Sequence, residues 1–199
     1  DINTTSSDSG LTIPALKEQE VVYYVNNLTG EKNIKDADVA KNRPVAVMIN
    51  NISIAQKVQT GLGEADIIYE TEVEGGITRL MAVYKDITKV EKIGTVRSAR
   101  YPYIDLSMGH GAIYIHHGQD PHYAKPHLRD TQTLTLDRNN AGVRISNGLA
   151  SEHTLYAYGD KMWEKIKASD RTIKNKNNAL WLNFADLEET VTYENEATN

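Results

Sequence analysis

Two arginines stand out by type and spacing. In GTVRSARYPYIDL, Gly94 to Leu106, Arg97 and Arg100 flank a Ser-Ala pair where an apolar strand should end. A guanidinium is a planar fork that grips phosphate or carboxylate through two parallel N–H bonds. A helix opening over Ser98 to Met108, with Pro102 in its first turn, would set the two forks on neighbouring faces. The free backbone N–H groups at its start would add positive potential. This pattern predicts an anion site. The competing reading is that the arginines pair internally with Glu70, Glu72 or Glu74.

Those glutamates lie in YETEVEGGITR. They alternate with Tyr69, Thr71 and Val73, so a strand would aim all of them one way. Such a row is either a solvated acidic face or a carboxylate cluster for a metal or a general base. Thr78 and Arg79 follow the two glycines and would complete that cluster. Five of the six histidines fall between His110 and His127, and the sixth is His153. Their spacing is not that of a helical zinc motif, and His116 and His117 point to opposite faces of a strand. The chain has no cysteine, which excludes thiolate catalysis and cysteine-ligated zinc within it. Neither Ser98 nor Ser146 sits in a nucleophile elbow, and no phosphate-binding glycine loop is present.

The expected site therefore gathers Arg97 and Arg100 with Glu70 or Glu74, next to Arg79, with Asn50 and His116 at its rim. All stand near the ends of neighbouring candidate strands, where loops collect functional groups. No cofactor and no metal ligand is assigned; a divalent cation on the glutamates is the variant of this reading.

The elements that must position these residues are legible as patterns. Val21 to Val25, VVYYV, is a strand candidate. PVAVMIN, Pro44 to Asn50, reads as a buried central strand, and TRLMAVY as another. ADIIYETEV and TRLMAVY form a hairpin through Gly75 and Gly76. KIGTV, GAIYIHH and ALWLNF are further strands. After Ser151, Leu155, Tyr158, Met162 and Ile166 follow helical spacing, with Ser151 as N-cap. The expected fold is α/β or α+β, a layered mixed β-sheet flanked by helices. Residues 1–12 read as a flexible polar tether, 13–193 as one domain, and 194–199 as a polar tail or the start of a linker. The 199 residues carry 22 basic and 27 acidic side chains, net −5, which argues against a nucleic-acid partner. No stretch approaches the roughly 20 apolar residues of a spanning helix. The start at Asp1 is read as a processed or trimmed end.

RPVAVMINN, GLGEADIIYETEVEGGITRLMAVY and KIGTVRSARYPYIDL together resemble the YerB-like family, bacterial lipoproteins carrying a domain of unknown function. LTGEK, IYIHHG and SEHTLYA fit the same order, so the likeness runs from about Asn27 to about Tyr158. It implies a lipid anchor ahead of the polar tether, an extracytoplasmic location on the outer face of the bacterial membrane, and a smaller C-terminal domain. HHGQDP departs from the family's pattern, and Glu152-His153 stands where a proline–histidine pair is common. The expected site accordingly omits His117 and His153. The strand running into Arg-Ser-Ala-Arg is also similar in layout to the LytR-CpsA-Psr transferases, which hold a lipid-linked pyrophosphate with arginines and acidic residues. Two functions follow as expectations: an envelope binding module for an anionic ligand or a protein partner, or an enzyme acting on a phosphate- or sugar-bearing envelope substrate.

Overall fold

A computed structural model describes residues 21–136, 141–169 and 171–175. The tether, the first residues assigned to the domain, ALWLNF and the polar tail lie outside them. The strands are β1 (Tyr24–Val25), β2 (Lys32–Ile34), β3 (Val45–Asn50), β4 (Ile67–Glu72), β5 (Thr78–Tyr84), β6 (Ile93–Gly94), β7 (Ile113–His116), β8 (Thr133–Thr135), β9 (Gly142–Arg144) and β10 (Leu155–Ala157). The α-helices are α1 (Ala37–Lys41), α2 (Ser53–Gln56), α3 (Tyr101–Gly109), α4 (Ala124–His127) and α5 (Gly159–Lys167).

The main sheet has the order β4-β5-β3-β7-β8, antiparallel from β4 to β3 and parallel from β3 to β8. The two apolar runs are its interior strands: β3 is buried throughout, and so is β5 beyond Thr78. A strand covered on both faces needs such a run, because neither set of alternating side chains meets water. One face carries Val45, Val47, Ile49, Ala82 and Tyr84 under Met162 and Ile166 of α5 and the small sheet β6-β10-β9. The other carries Ala46, Met48, Met81 and Tyr114 under Tyr103 and Ile104 of α3. The result is an α+β fold in layers. Burying each large side chain contributes roughly 1.5–3 kcal/mol, and that apolar cover is what holds the polar strand ends in place.

β4 alternates half-buried and exposed residues, with Glu70 and Glu72 on the exposed face. Gly75 and Gly76 both take positive φ, 73° and 70°, which lets the chain turn back into β5. Other segments differ from expectation. VVYYV is exposed, and only Tyr24 and Val25 pair, with β2. The chain is helical from Tyr101 rather than Ser98, with Arg100 as N-cap and Pro102 in the first turn. Leu155 to Ala157 form a strand clamped between β6 and β9, so the helix expected from Ser151 starts only at Gly159. Ser151–His153 is a single 3-10 turn. Strand pairing on both sides outweighed the helical spacing, of which only Met162 and Ile166 remain on α5.

A candidate anion site at the diverging strand ends

β3 and β7 pair in parallel only from Val45–Val47 to Ile113–Ile115. Beyond that they diverge, and Thr95 to Ala99 fills the gap. On one side Asn50 N–H donates to Thr95 O at 2.9 Å and Arg97 N–H to Met48 O at 3.0 Å. On the other, His117 N–H donates to Arg97 O at 3.0 Å and Ala99 N–H to Gly118 O at 2.9 Å. Gly118 has φ +76°, and a Cβ there would stand 3.0 Å from Ser98 Oγ, so this crossing favours glycine. A crevice at the carboxyl ends of diverging parallel strands is where open sheets with helical cover bind ligands. The inserted segment delivers Arg97 and Arg100 to that crevice.

Arg79 projects there from β5, where it is paired with Asn50 of β3 and Thr71 of β4. It is only 6% exposed. Among the described residues its guanidinium makes one hydrogen bond, from Nη1 to Ser98 O at 3.4 Å, and its buried Nε has no partner. Burial, then the neighbouring charges of Arg100 and Arg97, lower its pKa to about 10, with Glu74 opposing. The guanidinium therefore stays charged at neutral pH while its buried Nε lacks an acceptor.

Arg100 Nε lies 2.5 Å from Glu74 Oε1, although the N–H does not point along that contact. Nη1 of Arg100 donates to Ala99 O at 2.9 Å. Burial works against the Glu74 carboxylate most strongly, but the close contact and charge of Arg100, the Glu74 amide and the charge of Arg79 together outweigh it, and the net shift is downward. Arg97 Nη1 donates to Glu152 O at 2.9 Å and stands 3.9 Å from Glu152 Oε2, while its buried Nε is also unpartnered. The Tyr114 hydroxyl, buried beside Arg79 and Arg100, has no hydrogen bond of normal geometry; the Arg100 amide approaches it. The partial positive charge at the start of α3 lies directly after Arg100.

The other expected residues distribute as follows. Glu74 joins the arginines. Glu70 does not: its Oε1 accepts from Asn51 Nδ2 at 2.9 Å and Thr78 Oγ1 at 2.6 Å on the opposite face of the hairpin. Asn50 reaches the site through His153, with Nδ2 2.8 Å from His153 Nδ1. Asn50 Oδ1 accepts from Ile52 N–H at 3.4 Å, which orients the amide and leaves His153 Nδ1 as acceptor. His153 Nε2 then carries the proton and donates to Glu152 Oε1 at 3.0 Å. His116 is buried, 1% exposed. Its ring nitrogens bond Gly118 O at 2.7 Å and Thr133 Oγ1 at 2.9 Å, and burial lowers its pKa. Among the described residues, no three carboxylate or imidazole groups gather as metal ligands.

His153, Glu152, Tyr114 and Tyr103 are additions that local pattern did not supply. The Tyr103 hydroxyl is wedged between β4 and β5. It accepts from Thr71 N–H at 2.8 Å and donates to Arg79 O, fixing the backbone that carries the buried arginine.

Comparison with known proteins decides the family. Residues 28–173 match the family described as "Protein of unknown function (DUF3048) N-terminal domain". The chain belongs to this family. It is 44% identical over 94 residues to "Putative lipoprotein YerB" of Bacillus subtilis (strain 168), an alignment spanning 47% of this chain and 27% of that protein. It is also similar to the crystal structure of the YerB protein from Bacillus subtilis, with a TM-score of 0.67 and 32% identity over 76% of this chain. The matched region is 51% of the YerB chain, so the likeness covers about half of that relative. The family match over residues 28–173 contains every residue of the arginine cluster.

Proposed function

We propose that this domain is an extracytoplasmic binding module for a phosphate-bearing anion of the cell envelope, held by Arg79, Arg97 and Arg100. The observation that carries the reading is Arg79: a buried guanidinium with one long hydrogen bond, an unpartnered Nε and the positive charges of Arg100 and Arg97 acting on it. Burying a charge without partners is costly, and a multivalent oxyanion supplies both the charge and the acceptors that are missing. Glu74 holds Arg100 in place and is the internal competitor for it. The envelope setting is supported by the relative named as a lipoprotein. Among the described residues no helix is long and apolar enough to cross a membrane, so a membrane tether would lie elsewhere.

Calorimetric titration with phosphate and pyrophosphate at low salt tests this. Saturable binding at millimolar concentration or tighter is expected, weakening as salt screens the charges. Arg97→Ala and Arg100→Ala should each weaken it by about 10- to 150-fold, the equivalent of one charge-assisted contact. If the wild-type protein binds neither anion at low salt, the reading is wrong.

A second reading, an enzyme acting on a phosphate- or sugar-bearing envelope substrate, draws on the Asn50–His153–Glu152 chain beside Arg97. Both nitrogens of His153 are engaged, which suits a positioning role better than proton transfer. Release of phosphate from pyrophosphate or a glycosyl phosphate, lost in His153→Gln, would establish the enzyme instead.

A further inference from the structure

A cavity of about 320 Å³ opens beside the arginine cluster and shares Arg100 and Glu74 with it. Its walls are carbon: Val73, Pro102 and the rings of Tyr101 and Tyr123. Tyr123 is 73% exposed and Tyr101 44%. Tyr101 is held by the ring of His127, centroid to centroid 4.5 Å. At the rim stand Glu72 and Asp120. Three backbone N–H groups, those of His122, Tyr123 and Ala124, converge on Oδ1 of Asp120, which leaves Oδ2 outside these bonds. The pocket thus couples an apolar, ring-lined floor to carboxylate acceptors, and Arg100 ties it to the anion site.

We infer that the ligand is a glycosyl phosphate: the phosphate on Arg79, Arg97 and Arg100, and the attached sugar ring in the Tyr101–Tyr123 pocket. The inference rests on the anion reading above and narrows its ligand class. A pyranose presents a C–H face that packs flat on an aromatic ring, and a belt of hydroxyls that donate to carboxylates. The pocket has both complements. A hydrocarbon chain would fit the walls but would strip water from Glu72 and Asp120 without giving them a donor, which is unfavourable. The volume lies at the lower end of the roughly 300–1,000 Å³ of small-molecule sites, room for a sugar rather than a long chain. Because Arg100 borders both compartments, a phosphate directly on the ring, with no spacer, spans them.

The experiment is a set of titrations on the whole chain with four probes: inorganic phosphate, glucose 1-phosphate, octyl phosphate and O-phosphoethanolamine. Glucose 1-phosphate should bind about tenfold more tightly than inorganic phosphate, the increment of one stacked ring with its hydroxyl bonds. Tyr123→Ala should erase that increment and leave inorganic phosphate binding unchanged; the exposed side chain can be removed without unfolding the domain. Equal affinity for the sugar phosphate and inorganic phosphate overturns the inference and leaves the anion site standing. So does an increment that survives Tyr123→Ala. Tighter binding of octyl phosphate would assign the pocket to an acyl chain, and tighter binding of O-phosphoethanolamine to an ammonium group; either result also overturns it. Absence of binding by all four probes removes the anion site itself, and the inference with it.

Discussion

Arg43 and Arg79 stand at opposite ends of β3, and the protein treats them in opposite ways. Arg43 precedes the strand. Its Nε donates to Gly111 O at 2.5 Å, Nη2 to Ala112 O at 3.0 Å and Nη1 to Thr172 O at 3.3 Å. Its fork is filled by the chain's own carbonyls, and it ties the start of β3 to the loop before β7. Arg79 faces the last residue of β3, is more deeply buried, and has one long bond. A buried arginine is therefore not in itself a binding site. On the proposed reading, the N–H groups left without an acceptor are what separate a structural clamp from a ligand holder.

The largest effect should come from breaking the clamp. Arg43→Ala leaves three carbonyls without their donor and should destabilise the domain by roughly 3–5 kcal/mol, read from urea melts. Phosphate affinity per folded molecule should not change. A small loss of stability would mean that those carbonyls find water readily and that the contrast between the two arginines is false.

Arg79→Met should do the reverse. It removes an under-bonded buried charge and keeps the volume, so stability should hold or rise. Phosphate affinity should fall about 10- to 150-fold. A variant that melts several degrees lower while binding phosphate as before would place Arg79 with Arg43, as a structural residue.

Which of these arginines matters was only partly legible in the sequence. The alternation in β4 and the Gly75-Gly76 turn put Glu74 and Arg79 near one sheet end, and the apolar runs correctly marked β3 and β5 as interior strands. Arg97 and Arg100 were visible as a pair, but the device that delivers them was not. Thr95 to Ala99 carries no period that announces a segment wedged between two diverging strands; its bonds go to residues distant in sequence. Asn50 and His153 meet across 103 positions, so no local spacing could join them. Leu155 to Ala157 misled because three apolar residues fit a helix face as well as a strand, and only their partners β6 and β9 decide. The hydroxyls of Tyr103 and Tyr114 were hidden because local pattern does not show which backbone or side chain a tyrosine hydroxyl meets across the fold.

Tyr103→Phe sharpens the comparison from the side of the scaffold. Without the hydroxyl, Thr71 N–H and Arg79 O lose a shared partner at the point where β4 and β5 meet the site. The expected cost is about 1–2 kcal/mol, with phosphate affinity down severalfold because the backbone under Arg79 loosens. A loss of stability with unchanged affinity would show that Arg79 is positioned by its side-chain surroundings alone.

The smallest effect is a pH dependence, and it separates the residues that hold the anion from a buried histidine bonded elsewhere. Burial, opposed by the bond to Gly118 O, lowers the His116 pKa in the folded protein. The unfolded chain, titrating near about 6.5, then binds the proton more readily than the native one. Stability from this group is fully present above that value and is lost as pH falls from there toward the depressed folded pKa. His110, also lowered by burial, acts in the same direction. Thermal melts between pH 7.5 and 5.5 should therefore slope downward on acidification, and His116→Gln should flatten part of that slope. Over the same range Arg79 keeps its charge, with its pKa at about 10, and Glu74 is held below the usual carboxylate range. Sulfate is a suitable probe because its own charge does not change there. Wild type and His116→Gln should show the same sulfate affinity at each pH, although their melting profiles differ. If sulfate binding tightens on acidification in the wild type and not in His116→Gln, the imidazolium is reaching the anion, and His116 belongs among the ligand-holding residues rather than apart from them.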